Sequence, residues 1–213
     1  MAGKVVGLDI GTSGVRAAEL SLGKGAATLE RFGQVALPPG AVRGGEVIDT
    51  DTVAAAIKQL WAQAKFSTKK VVVGVANQKV VVRQVDLPWM PAGELKKALA
   101  FQVQDFIPMS VEQAILDFHP LEEFTNESGG RMLKVLLVAA ARDMVGSALA
   151  AVEQAGLRPT GVDLTSFAVL RAPVSMDHTG LESAYAEALV DVGASITNIV
   201  VHQGGYLASC GSC

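Results

Sequence analysis

The sequence predicts an α/β protein interrupted by a small inserted module, and three observations carry that prediction. Short β-branched apolar runs alternate with segments whose apolar residues recur at helical spacing, the pattern of a sheet covered by helices. The texture breaks at "DLPWMP", residues 86–91, where two prolines open a separate set of helix and strands. One hairpin-forming stretch near the start of the chain is repeated near its end.

The elements follow in order. "KVVGLDI" (4–10) and residues 15–20 read as two strands joined by "GTSG", a hairpin signal. Residues 28–36 read as a third strand, and "LPPGAVRGGEVID" (37–49) as a Gly/Pro-rich connection. Asp51 is expected to cap the helix "TVAAAIKQLWAQAK", whose Val53, Ile57, Leu60, Trp61 and Ala64 share a face, with Trp61 as core packing. Residues 70–85 read as strand, turn, strand around "GVANQ", with a domain boundary near Gln84.

A helix is then expected from 92 to about 106, ended by Pro108, with Leu95, Leu99, Val103 and Phe106 on its apolar face and Lys96, Lys97 and Gln104 outside. Strands at 114–121 and 132–140 flank the polar loop "EEFTNESGG", and a helix at 143–155 stops at Gly156. "LRPTGVDL" reads as a short strand returning toward the first domain, followed by the helix "TSFAVLRAPV" and a looser polar stretch, 175–183. The organisation expected is a first domain of residues 1–84 plus 161–183, a β-α-β-β-α insertion at 85–160, and a further hairpin at 184–213. His119, His178 and His202 are scattered and read as structural or solvated; Asp163 reads as a cap for the helix after it, or as a residue approaching a cleft.

Composition limits the function. A chain of 213 residues, 50% hydrophobic and 18% charged, can bury a real core and is not a disordered segment. A net charge of −3 implies no general affinity for nucleic acid or anionic membrane. Asp9 interrupts the first apolar run, and no run approaches the roughly 20 apolar residues that cross a bilayer, so a soluble, unexported chain is expected. Both cysteines, Cys210 and Cys213, lie in the terminal "CGSC", which lacks a βα turn, a second C-x-x-C or paired histidines; it reads as a frayed tail or an abrupt chain end, not as a redox or zinc motif.

The repeat is the most informative feature. Leu8-Asp9-Ile10-Gly11-Thr12-Ser13 matches Val190-Asp191-Val192-Gly193-Ala194-Ser195 at a displacement of 182 positions, and each copy runs into another β-branched strand. Glycine lets backbone N–H groups converge on an anion, and Thr and Ser hydroxyls add donors, so each turn can cradle phosphate oxygens. Each Asp ends the strand before its turn, where a carboxylate can hold Mg²⁺ through water. A single copy is an ordinary β-turn with its donors satisfied locally. Two copies make a phosphate clamp, while a Walker A lysine motif and a G-x-G-x-x-G fingerprint are both missing.

"GLDIGTSGVRAAEL" and "LVDVGASITNIVVHQGG" resemble the two phosphate motifs of the actin-like ATPase superfamily, which includes actin, Hsp70 chaperones, sugar kinases and the cell-division protein FtsA. "LPWMPAGELKKALAFQVQDFIPMSVEQAILDFHPL" is similar to the start of the inserted subdomain in the PilM family of type IV pilus assembly. The resemblance implies an actin-like, ribonuclease H-like domain with a second such domain only begun, since the chain reaches Cys213 before the motif that grips adenosine. It implies ATP and Mg²⁺ as cofactors: Asp9 and Asp191 as the magnesium-organising aspartates, Gly11, Thr12, Ser13, Gly193, Ala194, Ser195 and Thr197 as phosphate-binding residues, and Arg16 at the position of a basic residue that reaches the phosphates. Gln102 departs from the acidic residue of many relatives.

The function so implied is a cytoplasmic, nucleotide-binding scaffold of pilus biogenesis and twitching motility, peripheral to the inner membrane. Its partner is the cytoplasmic tail of a PilN-like inner-membrane protein, with self-association left open. No catalytic residue is assigned and at most weak ATP hydrolysis is expected. The alternative, a sugar-kinase type of phosphotransferase, needs a base and a specificity domain that this sequence does not offer. An Hsp70-like machine would need a peptide-clamping domain, of which there is no sign.

Overall fold

The period-2 runs at the start of the chain become a meander, β1 (Gly3–Ile10), β2 (Gly14–Leu22) and β3 (Ala27–Ala36). The structure is a computed structural model and describes residues 3–23, 27–174, 185–203 and 206–212; His178, the rest of the stretch 175–183, and Cys213 lie outside the described residues. A minimal ribbon, β4 (Val42–Arg43) with β5 (Glu46–Val47), fills the Gly/Pro-rich connection and leads to α1 (Thr50–Ala64). There follow β6 (Lys70–Val75), β7 (Val80–Pro88), α2 (Ala92–Gln102), β8 (Ala114–Thr125), β9 (Arg131–Ala141), α3 (Arg142–Gln154), β10 (Arg158–Leu164) and α4 (Thr165–Val174). The last three strands are β11 (Ala186–Val192), β12 (Thr197–Gln203) and β13 (Tyr206–Ser212).

The chain divides into two compact units, Met1–Gln78 with Met144–Cys213, and Lys79–Asp143. In the first, β6 lies parallel to β1 and β10 parallel to β6, giving a five-stranded sheet of order β10-β6-β1-β2-β3. Val6, Leu8, Ile10, Val15, Ala17, Val71 and Val73 share a core with Val53, Ile57 and Leu60 of α1 and Ala148, Ala151 and Val152 of α3. The cap of α1 is Asp49, whose carboxylate accepts from the Thr52 N–H at 3.0 Å; Asp51, the expected cap, sits in the first turn and accepts from Gln154. Trp61 packs against the core as expected, its Nε1–H donating to the Thr68 carbonyl.

Glu19 is wholly buried in this sheet. Burial pushes its pKa up, but the Ser67 hydroxyl and N–H, together with Lys4, outweigh that and hold it at about 2. Arg31 completes the pairing at 3.4 Å.

The strand β13 overturns the reading of the C-terminal stretch as a frayed end. Residues 206–212 pair antiparallel with β12, because the N–H and C=O groups along that side of β12 need partners and the small residues of "LASCGS" admit a close neighbour. Cys210 lies opposite Val200, and burial raises its thiol pKa, opposed by Ser166, so it carries little thiolate. The order β11-β12-β13 makes a second sheet, on which α4 packs.

The second unit is a β7-β9-β8 sheet, antiparallel throughout, with α2 over its core of Val85, Leu87, Leu95, Leu99, Val103, Ile107, Leu133, Val135 and Leu137. Its bounds differ from the expected 85–160. Val80 through Val85 belong here because all of β7 pairs with β9, while α3 buries its apolar face in the core of the first unit and β10 extends that unit's sheet. Residues 185–203 and 206–212 fall within the first unit. The helix expected to reach Phe106 ends at Gln102, and a 3₁₀ turn at Gln104–Phe106 shifts the phase: Ile107 turns inward and Phe106 is exposed. Phe101 stands on the outer side of α2, 81% exposed.

Candidate functional site: a cleft between two matched turns

Two turns of the first unit close in the same way. The Gly11 N–H donates to the Gly14 carbonyl at 3.0 Å, and the Gly193 N–H to the Ile196 carbonyl at 2.9 Å. The loops "GTSG" and "GASI" are thereby held as four-residue turns at the ends of β1–β2 and β11–β12. A side chain at 193 would collide with the Ile196 carbonyl, its Cβ only 2.6 Å away, which explains the glycine. The turns meet: the Thr12 and Ser195 hydroxyls lie 2.6 Å apart.

A cleft of about 330 Å³ opens beside this contact, in the range of small-molecule sites. Asp9, Gly11, Thr12, Ser13 and Arg16 line it from the first hairpin, and Asp191, Gly193, Ala194, Ser195 and Asn198 from the second. Arg16 Nη1 donates to Asp9 Oδ2 at 3.2 Å, and Nη2 reaches the Ser13 hydroxyl at 3.5 Å. Half of the Asp9 side chain meets solvent, yet the protein around its carboxyl raises its pKa by desolvation; Arg16 opposes the rise and the Asp191 charge adds to it.

Two carboxylates that repel one another across a polar cleft suit a cation. Among the described residues there is no group of three or more His, Cys, Asp or Glu side chains able to hold a metal by themselves. The donor set therefore fits Mg²⁺ that keeps water and phosphate oxygens as its other ligands, and not an all-protein metal site. The hydroxyls of Thr12, Ser13 and Ser195 and the Arg16 guanidinium supply donors of the kind a polyphosphate needs.

All but one of the phosphate- and metal-binding residues implied by the resemblance line this cleft; Thr197 does not, and its neighbour Asn198 does. Asn198, opposite Asp191 in the β11–β12 register, donates to Asp191 Oδ2 at 3.1 Å. Its signal was in the repeat, since Asn198 falls on Arg16 at the same displacement of 182. Gly45, Gly74 and Thr165 were also missed. Gly45, at φ 77°, lies so close to the Ala76 carbonyl that an added Cβ would come within 1.8 Å of it, and Gly74 leaves room for the Thr165 hydroxyl. Asp163 is not part of this lining; it accepts from the Leu164 N–H and pairs with Arg171, tying β10 to α4. His119 is exposed; His202 is buried with Nε2 3.5 Å from Glu187.

The architecture is that of the actin-like ATPase fold. The whole chain matches a chain of the structure described as a PilM–PilN type IV pilus biogenesis complex, with a TM-score of 0.84 at 27% identity, covering 62% of that chain. A Bacteroides thetaiotaomicron protein with the actin-like ATPase fold matches over 99% of the chain and 69% of its own, with a TM-score of 0.50 at 11% identity. Cell division protein FtsA of Bacillus subtilis (strain 168) is 26% identical over 228 residues, 96% of this chain and 50% of FtsA. The sequence profile of the type IV pilus assembly protein PilM matches residues 7–208, and the chain belongs to that family. It spans about half the length of FtsA. No described helix is long and apolar enough to cross a membrane.

Proposed function

We propose that the cleft binds Mg-ATP and that the chain is a nucleotide-dependent scaffold of type IV pilus assembly, docking the cytoplasmic tail of a PilN-like inner-membrane protein from the cytoplasmic side. The carrying observation is the 2.6 Å contact between Thr12 and Ser195, which sets two donor-rich turns and two carboxylates on one cavity. In this reading the turns and Arg16 hold the phosphates, and Asp9 and Asp191 hold the metal with its water. Bound Mg²⁺ would neutralise phosphate charge. Hydrolysis is at most weak, because Asp9 and Asp191, the carboxylates lining the cleft among the described residues, are assigned to the metal and leave no base. The same point disfavours a sugar-kinase type of transfer.

The partner would meet the second unit. The outer strands β7 and β8 offer backbone edges, and α2 presents Phe101, the sort of exposed aromatic that anchors a peptide. Calorimetry with Mg-ATP, and titration of a labelled PilN-tail peptide against the wild type and Phe101→Ser, test the two halves. Saturable Mg-ATP binding lost in Asp191→Ala, and peptide binding weakened roughly tenfold in Phe101→Ser, are expected. Absence of Mg-ATP binding, or unchanged peptide affinity, would reject the corresponding half.

A further inference from the structure

The two hairpins match in turn geometry but differ in what holds each carboxylate. Arg16 and Asn198 occupy equivalent places, each directly opposite its aspartate, and each donates to that aspartate's Oδ2, at 3.2 and 3.1 Å. Arg16 brings a full positive charge. Asn198 brings none.

The Asn198 amide is also fixed. It is 4% exposed, and its Oδ1 lies 2.8 Å from the Ser212 hydroxyl on β13. The amide NH₂ faces Asp191, to which it donates, and the amide oxygen faces Ser212, whose hydroxyl donates to it. The chain Ser212→Asn198→Asp191 aims one carboxylate oxygen and leaves Asp191 its whole charge. Asp9, by contrast, shares its charge with a guanidinium.

We infer that the two aspartates divide the work: Asp191 is the principal metal-bearing carboxylate, and Asn198, braced by Ser212, is the positioning residue that presents it, while Asp9 paired with Arg16 contributes less. This rests on reading the cleft as a Mg-nucleotide site. Groups that orient a metal ligand in this way are worth roughly 10–100-fold in metal affinity.

Mn²⁺ in place of Mg²⁺, titrated in the presence of ATP and followed by electron paramagnetic resonance, measures the metal directly, and calorimetry with ATP in EDTA measures metal-free nucleotide binding. Asp191→Asn should lose Mn²⁺ affinity at least tenfold more than Asp9→Asn. Asn198→Ala should weaken Mn²⁺ by roughly 10–100-fold, and Ser212→Ala by a smaller factor, while metal-free ATP affinity stays within twofold. If Asn198→Ala does not fold, Asn198→Thr retains a hydroxyl donor and should show a smaller loss of the same kind. Equal losses in the two Asp→Asn variants, or Asn198 variants that leave Mn²⁺ affinity unchanged or weaken ATP equally with and without metal, overturn the inference. No Mn-ATP site in the wild type overturns the reading of the cleft itself.

Discussion

The first hairpin, β1–β2, and the second, β11–β12, carry the same turn, the same aspartate and the same placement of a donor opposite it, but they are supported differently. Leu8 and Ile10, flanking Asp9, are 2% and 9% exposed, whereas their counterparts Val190 and Val192 are 56% and 75% exposed. The first hairpin lies at the centre of a five-stranded sheet. The second buries Asn198, Val200 and His202 on one face and leaves Val190, Val192 and Ile199 open on the other. Turn geometry is thus set by short-range bonds, Gly11 to Gly14 and Gly193 to Ile196, and does not depend on how deeply the strands are packed.

The largest expected effect tests that difference in packing. Leu8→Ala leaves a cavity in a filled core and should cost about 3–4 kcal/mol, while Val190→Ala at the equivalent place should change stability by less than about 0.5 kcal/mol. Urea unfolding of both variants measures it. Comparable losses would mean that the open face of the second sheet is covered in solution.

Next is the turn's fourth residue, Gly14 in one copy and Ile196 in the other. A Cβ at Gly14 would sit 2.7 Å from the Val35 carbonyl, so Gly14→Ala must push β3 away and should cost about 2–3 kcal/mol. Ile196→Ala, trimming a half-buried side chain, should cost about 1 kcal/mol. Reversal of that order would place the tighter packing around the second turn.

A third contrast is electrostatic. Glu19 in β2 is buried among Ser67, Lys4 and Arg31, while Val201 stands at its counterpart in β12. A carboxylate held at about 2 against an ordinary 4.5 contributes stability that is complete above pH 4.5 and is lost as pH falls toward 2. Glu19→Gln should cost about 2 kcal/mol at neutral pH, the scale of a buried hydrogen bond to a charge, and should flatten the pH dependence in that window. An unchanged acid limb in the variant would assign the effect to other carboxylates.

What was legible in the sequence was whatever repeats or alternates locally. The hairpins, the amphipathic face of α1 and the paired aspartates follow from residue type and spacing. The partner of a face did not: the apolar stripe of α3 shows that the helix is half buried, but only the fold shows that Ala148, Ala151 and Val152 meet the α1 core. β13 was missed because "LASCGS" has little β-branched content, and its pairing answers a need of β12, not a preference of its own. Asn198 was hidden because its role comes from cross-strand register, which places it opposite Asp191 as Arg16 is opposite Asp9.

The smallest effect expected is at the side-chain bond between the two turns. The Thr12 and Ser195 hydroxyls, 2.6 Å apart, are exposed, so water can replace either partner and the bond should contribute only about 0.5–1 kcal/mol. Its value lies in the coupling. If the bond exists in solution, Thr12→Val and Ser195→Ala should each remove the same interaction, and the double variant should be no less stable than the worse single variant, a coupling of about 0.5–1 kcal/mol. Additive losses would show that the turns are not bonded to each other. Repeating the cycle with Mg-ATP present sharpens it, because phosphate oxygens between the turns would compete for both hydroxyls. The coupling should then shrink while total stability rises with nucleotide concentration. A coupling that persists undiminished at saturating Mg-ATP would mean that the hydroxyls remain bonded to each other and that the phosphates are held by backbone N–H groups and Arg16 alone.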